Sequence, residues 1–144
     1  MHIITRRILT TALLVAGIVG GPSAQGAAKD RLKVTNAEIA QLPKFCWKEM
    51  GVPNLPATGE FRIQKCGAWA NHYCEGLVQL IRAKLQVKQG KRPYLLGKAG
   101  DAIEYTDKNT KPYPSCSIRS HIEETKLEVQ KIRSIYGGAR YGRK

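Results

Sequence analysis

GAWANHYCEGLVQLIRAKLQV, residues 67–87, decides the fold. Its apolar positions, Trp69 or Ala70, Tyr73 or Cys74, Leu77, Leu80 or Ile81, and Leu85, recur at intervals of three and four, while Arg82, Lys84 and Gln86 fall opposite. A strand would alternate every two residues; this period belongs to an amphipathic α-helix.

The same period continues on the C-terminal side. Lys88-Gln89-Gly90-Lys91 reads as a tight basic turn, and Pro93 suits the first residue of a further helix. That helix is predicted to run to about Asn109, with Leu95 or Leu96, Ala99, Ala102 or Ile103, and Thr106 inward. Pro112-Tyr113-Pro114 breaks it, because neither proline can donate a backbone hydrogen bond. Ser115 is placed to cap a last helix whose inner face reads Ile118, Ile122, Thr125, Val129, Ile132 and Tyr136, ended by Gly137.

On the N-terminal side, Thr35 with Glu38 three residues later makes a capping box, and Val34 can staple onto Ile39 across it. A helix therefore starts at Asn36. Pro43 kinks or restarts it, and Phe45, Cys46, Trp47 and Met50 carry its apolar face to Gly51. Val52 to Lys65, with Pro53, Pro56 and Gly59, is the one long loop. No segment reads as a strand. The expected fold is all-α, a four-helix stack in which short connections make neighbouring helices antiparallel.

That geometry gathers Cys46, Cys66, Cys74 and Cys116 at one end of the stack. Cys66 and Cys74 are eight positions apart, about 12 Å along a helix, too far for a bridge. Two pairings survive. One joins Cys46 to Cys66 and Cys74 to Cys116; the other joins Cys46 to Cys74 and Cys66 to Cys116. The first is favoured, since Cys66 at the loop's end can reach back to the first helix while Cys74 faces the bundle.

Residues 1–26 have the three parts of a cleaved export signal: Arg6 and Arg7, an apolar run from Ile8 to Gly20, and the small-residue exit Ala24-Gln25-Gly26. The run is shorter than the roughly 20 residues a membrane-spanning helix needs. Arg6-Arg7 fits either an ordinary or a twin-arginine leader. Both routes end in the periplasm or outside the cell, where an even cysteine number in a small chain implies disulfides. The division expected is a signal peptide at 1–26, a flexible lead-in at 27–34, a helical domain at 35–136 and a basic flexible tail at 137–144. Two disulfides would each contribute roughly 2–4 kcal/mol by restricting the unfolded chain.

Asn71-His72-Tyr73-Cys74 followed by Gly76-Leu77, and Tyr113-Pro114 followed by Cys116, Ile118-Arg119 and His121, resemble a family of small exported proteobacterial proteins described only as tetratricopeptide-like. The resemblance runs from about Phe45 to Tyr136. It implies stacked helical hairpins and binding duty, with no activity to carry over. Gly90, Ala99, Ile103 and Pro112 fall near the turn, small, apolar and proline positions of one 34-residue repeat.

Three kinds of chemistry are open to such a chain. His72, Cys74, Cys116 and His121 come from two helix starts expected to be adjacent, and imidazole with thiolate would suit copper or zinc. The competing reading makes Cys74 and Cys116 half-cystines, which the compartment favours, and leaves no cofactor. Catalysis would need a nucleophile beside a base, or paired carboxylates in a rigid site. Asp101, Glu104, Glu123 and Glu124 instead alternate with bases, as on a solvated helix face. A non-catalytic protein is therefore expected.

The chain carries a formal net charge of +13. Removing Arg6 and Arg7 from its 24 bases leaves about +11 against 11 acids. Arg82, Lys84, Lys88, Lys91, Arg92 and Lys98 gather round the turn after the 67–87 helix, Arg119 lies near the start of the last helix, and Arg140, Arg143 and Lys144 end the chain. Such a field steers anionic partners. In the periplasm these would be another envelope protein, an acidic partner or an anionic membrane surface, rather than nucleic acid. Trp47 and Trp69 are expected to wedge the long loop against the first two helices, and Tyr94 and Tyr105 to sit where a groove could bind. The sequence thus points to a periplasmic adaptor, with a metal-binding protein and a cationic envelope binder as alternatives.

Overall fold

The computed structural model describes residues 32–57, 59–86 and 90–136. The expected export signal, most of the expected lead-in, Lys88 and the expected basic tail lie outside them. Among the described residues the chain is α-helical, with five helices, one 3-10 turn and no strand. The helices are α1 (Asn36–Ile39), α2 (Lys44–Trp47), α3 (Asn71–Leu85), α4 (Arg92–Thr110) and α5 (Arg119–Tyr136), and the 3-10 turn spans Gly59–Phe61.

The first expected helix is two single turns. Pro43 has φ −55° and ψ 144°, an extended N-cap that cannot continue α1 and opens α2 instead. The capping box forms at α1: the Glu38 N–H donates to Thr35 Oγ1 at 3.2 Å, and the Thr35 N–H donates to Glu38 Oε2 at 2.8 Å. Val34 and Ile39 are buried in one cluster with Leu42, Cys46 and Met50. The end of the lead-in is also held, contrary to expectation. Arg82 on α3 donates to the carbonyls of Leu32 and Lys33, and to both carboxylate oxygens of Glu38.

Helix α3 is the wall shared by two cores. Cys74, Val78 and Ile81 face the N-terminal cluster, while Ala70, Tyr73, Leu80 and Ala83 face a second cluster with Leu96, Ala99 and Ile103 of α4 and Ile118, Ile122 and Val129 around α5. The alternatives left open by the period, Tyr73 or Cys74 and Leu80 or Ile81, are all buried, because α3 has a partner on each side. Gly76 lets α4 come close: a Cβ there would lie 3.0 Å from Ile103 Cγ1 and 3.3 Å from the Ala99 carbonyl. Tyr73 donates to the His121 carbonyl at 3.0 Å and lies 2.7 Å from Thr125 Oγ1, which fastens α5 to α3. Burial pushes its phenol up to about 12.

The disulfides are Cys46–Cys74, with Cα atoms 5.4 Å apart, and Cys66–Cys116, at 4.4 Å. This is the second of the two pairings, not the favoured one. Cys74 turns toward α2 rather than toward the bundle. Meanwhile Gln64 and Ser117 exchange two hydrogen bonds, Ser117 N–H to the Gln64 carbonyl at 3.0 Å and Gln64 N–H to Ser117 Oγ at 2.9 Å, which set Cys66 beside Cys116. The same pairing delays the last helix. It opens at Arg119, not after Ser115.

Two disulfides are the bonding of an oxidising, non-cytoplasmic compartment. No helix among the described residues is long and apolar enough to cross a membrane.

Candidate functional site

The residues of the alternative metal set, His72, Cys74, Cys116 and His121, are not brought together as one site. Both of its cysteines are half-cystines, and its histidines serve different surroundings. His121 packs against Phe45, with ring centres 5.2 Å apart. His72 lies 5.0 Å from the Tyr105 ring, edge to face, and its Nδ1 is 3.6 Å from a Glu75 carboxylate oxygen. Among the described residues no three His, Cys, Asp or Glu side chains group closely enough to hold a metal ion.

Of the six bases named above that lie among the described residues, four are occupied internally. Arg82 clasps Glu38 and the lead-in. Lys84 pairs with Glu128 of α5 at 2.6 Å. Arg92 donates to the Ala83 and Gln86 carbonyls at the end of α3, and its guanidinium lies 4.0 Å over the Tyr136 ring. Arg119 bonds Asp107, Thr110 and Glu123. Asp107 is buried, which raises its carboxyl, yet hydrogen bonds from Lys126 and Arg119 outweigh that and hold it below the ordinary value. These guanidinium and ammonium groups cap helices and lock elements together. Lys91 and Lys98 are exposed, and Lys88 is outside the described residues.

A groove of about 670 Å³ opens between α3 and α4. One wall is His72, Glu75 and Gln79 of α3, spaced three and four residues apart; the other is Tyr94, Lys98, Asp101 and Tyr105 of α4, spaced four, three and four. One face of each helix therefore lines it, and Leu32 closes an edge. At one end, Trp69 meets Tyr105 edge to face at 6.2 Å and stacks on His72 at 6.4 Å. At the other, the Lys98 ammonium lies 5.8 Å over the Tyr94 ring.

Trp69, Tyr94 and Tyr105 are about half exposed, at 51%, 53% and 41%. Both tyrosines line the groove. Trp69 does not wedge the long loop. That task falls to Trp47, whose ring meets Phe61 at 6.1 Å and whose indole N–H donates to the Leu42 carbonyl at 3.1 Å. Glu75 and Gln79 were not singled out, and Asp101 was read only as part of a solvated helix face. Their shared stripe with His72, Tyr94 and Tyr105 was the available signal.

No family model matches the chain, and no curated protein or solved structure matches it significantly.

Proposed function

We propose that the chain is an exported, non-catalytic interaction module, a tetratricopeptide-like stack of antiparallel helical hairpins that docks an envelope protein in the α3–α4 groove. The hairpin reading is supported by which ends meet. Trp69 and His72 at the start of α3 touch Tyr105 late in α4, while Arg92 at the start of α4 bonds the last turn of α3.

The observation that carries the docking role is the exposure of three large aromatic rings along one groove. Aromatic side chains supply large contact area with little rotamer entropy to lose, which is why they anchor interfaces. The disulfides leave a metal centre only the histidines, and His72 and His121 sit in different surroundings. Arg82, Lys84, Arg92 and Arg119 are bonded internally, so a cationic face that grips anionic lipid would draw on Lys91, Lys98 and the bases outside the described residues.

The test is co-purification from the periplasm of cells carrying Tyr94→Ala with Tyr105→Ala, beside Leu127→Ser on α5. A partner retained by the wild type and by Leu127→Ser, and lost from the tyrosine double variant, is the expected result. Retention by the tyrosine double variant would overturn the assignment.

A further inference from the structure

We infer that Cys66–Cys116 is a redox latch on the Trp69 end of the α3–α4 groove, opened by an exported dithiol protein while Cys46–Cys74 stays closed. Access separates the two disulfides. Cys46 and Cys74 are 0% exposed and stand within helices α2 and α3, inside the N-terminal cluster. Cys66 and Cys116 keep 3% and 5% exposure and stand in no helix. Each lies in a run of exposed residues, Cys66 among Gln64, Lys65, Gly67 and Ala68, and Cys116 among Pro114, Ser115 and Ser117. Disulfide exchange requires a thiolate to reach a sulfur, so its rate follows access, and the more exposed bonds are the labile and regulatory ones. Segments outside the packed helices also open locally at lower cost.

The backbone around Cys66 depends on what holds it. Lys65 has φ 55° and Gly67 φ 73°, so the cysteine sits between two left-handed residues. Glycine adopts that conformation freely, whereas a residue with a Cβ keeps it only where its surroundings hold it. The holds here are the Gln64–Ser117 hydrogen bonds, the Tyr113 ring over Gly67, where a Cβ would lie 2.8 Å from a ring carbon, and the disulfide itself. Cutting the covalent hold frees Lys65 to leave the left-handed region. Trp69 follows Cys66 by three residues, precedes α3, and meets His72 and Tyr105 at the groove's end. Release of the Cys66 segment therefore reaches the groove along a few bonds of chain.

The chemistry is thiol–disulfide exchange. A thiolate of the dithiol attacks one sulfur of Cys66–Cys116, forming a mixed disulfide and expelling the other sulfur as a thiolate. The second thiolate of the dithiol then attacks its own half of the mixed disulfide and expels the remaining cysteine. Two electrons and the two protons of the dithiol end on Cys66 and Cys116, and the dithiol becomes a disulfide. The reverse exchange, with an oxidised partner of the same class, closes the latch.

The experiment treats the full mature, oxidised protein with dithiothreitol for graded times, blocks free thiols with N-ethylmaleimide and locates the blocked cysteines by peptide mass spectrometry. Cys66 and Cys116 are expected to be blocked together, roughly tenfold or more faster than Cys46 and Cys74. In the species with only that pair cut, the Trp69 indole NMR resonance should shift, while that of Trp47, bonded to the Leu42 carbonyl, stays. Cys66→Ser with Cys116→Ser, which keeps Cys46–Cys74, should reproduce the Trp69 shift. Equal rates, or earlier blocking of Cys46 and Cys74, would overturn the latch. So would an unmoved Trp69 once Cys66–Cys116 is cut, or movement of both indoles, the mark of general unfolding. Docking is read by co-purification, so failure of the latch leaves that role standing and failure of docking leaves the latch.

Discussion

Glu38 shows how much a single exposed-looking residue can hold. Its carboxylate closes the α1 capping box and receives Arg82 from α3, at 2.6 Å from Nε. The Arg82 hydrogen bond chiefly lowers its pKa from 4.5 to about 2, against the opposing effect of burial. A depressed acid stabilises the fold fully above its unfolded pKa, and that stability is lost as pH falls through the folded one. Stability should therefore drop between about pH 4.5 and pH 2, by about 2 kcal/mol after allowing for partial exposure. Asp107, held low by Lys126 and Arg119, adds in the same direction. In Glu38→Gln the slope over this window should flatten and stability at neutral pH should fall, as measured by urea unfolding at a series of pH values. An unchanged slope would remove Glu38 from the account. The capping half of this role was legible from Thr35 and Glu38 alone, being a local motif. Its other half was not, because Arg82 lies forty-four positions away and nothing local links the two.

At the scale of elements, the long helices were readable and their boundaries and partners were less so. The three-and-four period reports how many faces a helix buries only when one face is apolar. On α3 both Tyr73 with Leu80 and Cys74 with Ile81 are buried, so periodicity alone left each pair undecided. The pair Trp69 or Ala70 was left open for a related reason, and Ala70 is the buried one. The helix begins at Asn71, two residues after the tryptophan, so Trp69 sits in the preceding turn. Pro43 was ambiguous between a kink and a break because the choice depends on tertiary packing. The contact between α3 and α4 turns on Gly76, where even a methyl would be tight against Ile103 and Ala102. Gly76→Val should overfill it and cost about 2 kcal/mol in thermal or denaturant unfolding. It should also distort the groove, whose walls are these two helices. A variant of wild-type stability would mean that α3 and α4 are not in this close register.

At the scale of the molecule, the two disulfides interleave along the chain, with sequence separations of 28 and 50. Each ties one core to α3 or to its approach: Cys46–Cys74 lies within the N-terminal cluster, Cys66–Cys116 within the cluster shared with α4 and α5. Non-reducing peptide mapping should recover Cys46 with Cys74 and Cys66 with Cys116; Cys46 joined to Cys66 would contradict the structure. Replacing either pair by alanine should cost about 4 kcal/mol on a chain-entropy estimate. That both pairings fit one end of a helical stack was clear from the sequence. Which one forms depends on the face of α3 that Cys74 occupies, and only the packed structure decides that.

The molecule's charge was legible too, but its allocation was not. Arg82, Lys84, Arg92 and Arg119 read as a cationic surface in sequence, whereas folding brings each to an acid or a carbonyl from elsewhere in the chain. What remains open is the aromatic groove between α3 and α4. The most direct test replaces Tyr105, and in a separate variant Ile135 on α5, by a photoreactive amino acid in the living cell. One discrete adduct from position 105, absent at position 135 and suppressed by Tyr94→Ala, is the predicted result. Equal adducts from both positions, or an adduct from position 135 alone, would contradict the assignment of the groove as the docking surface.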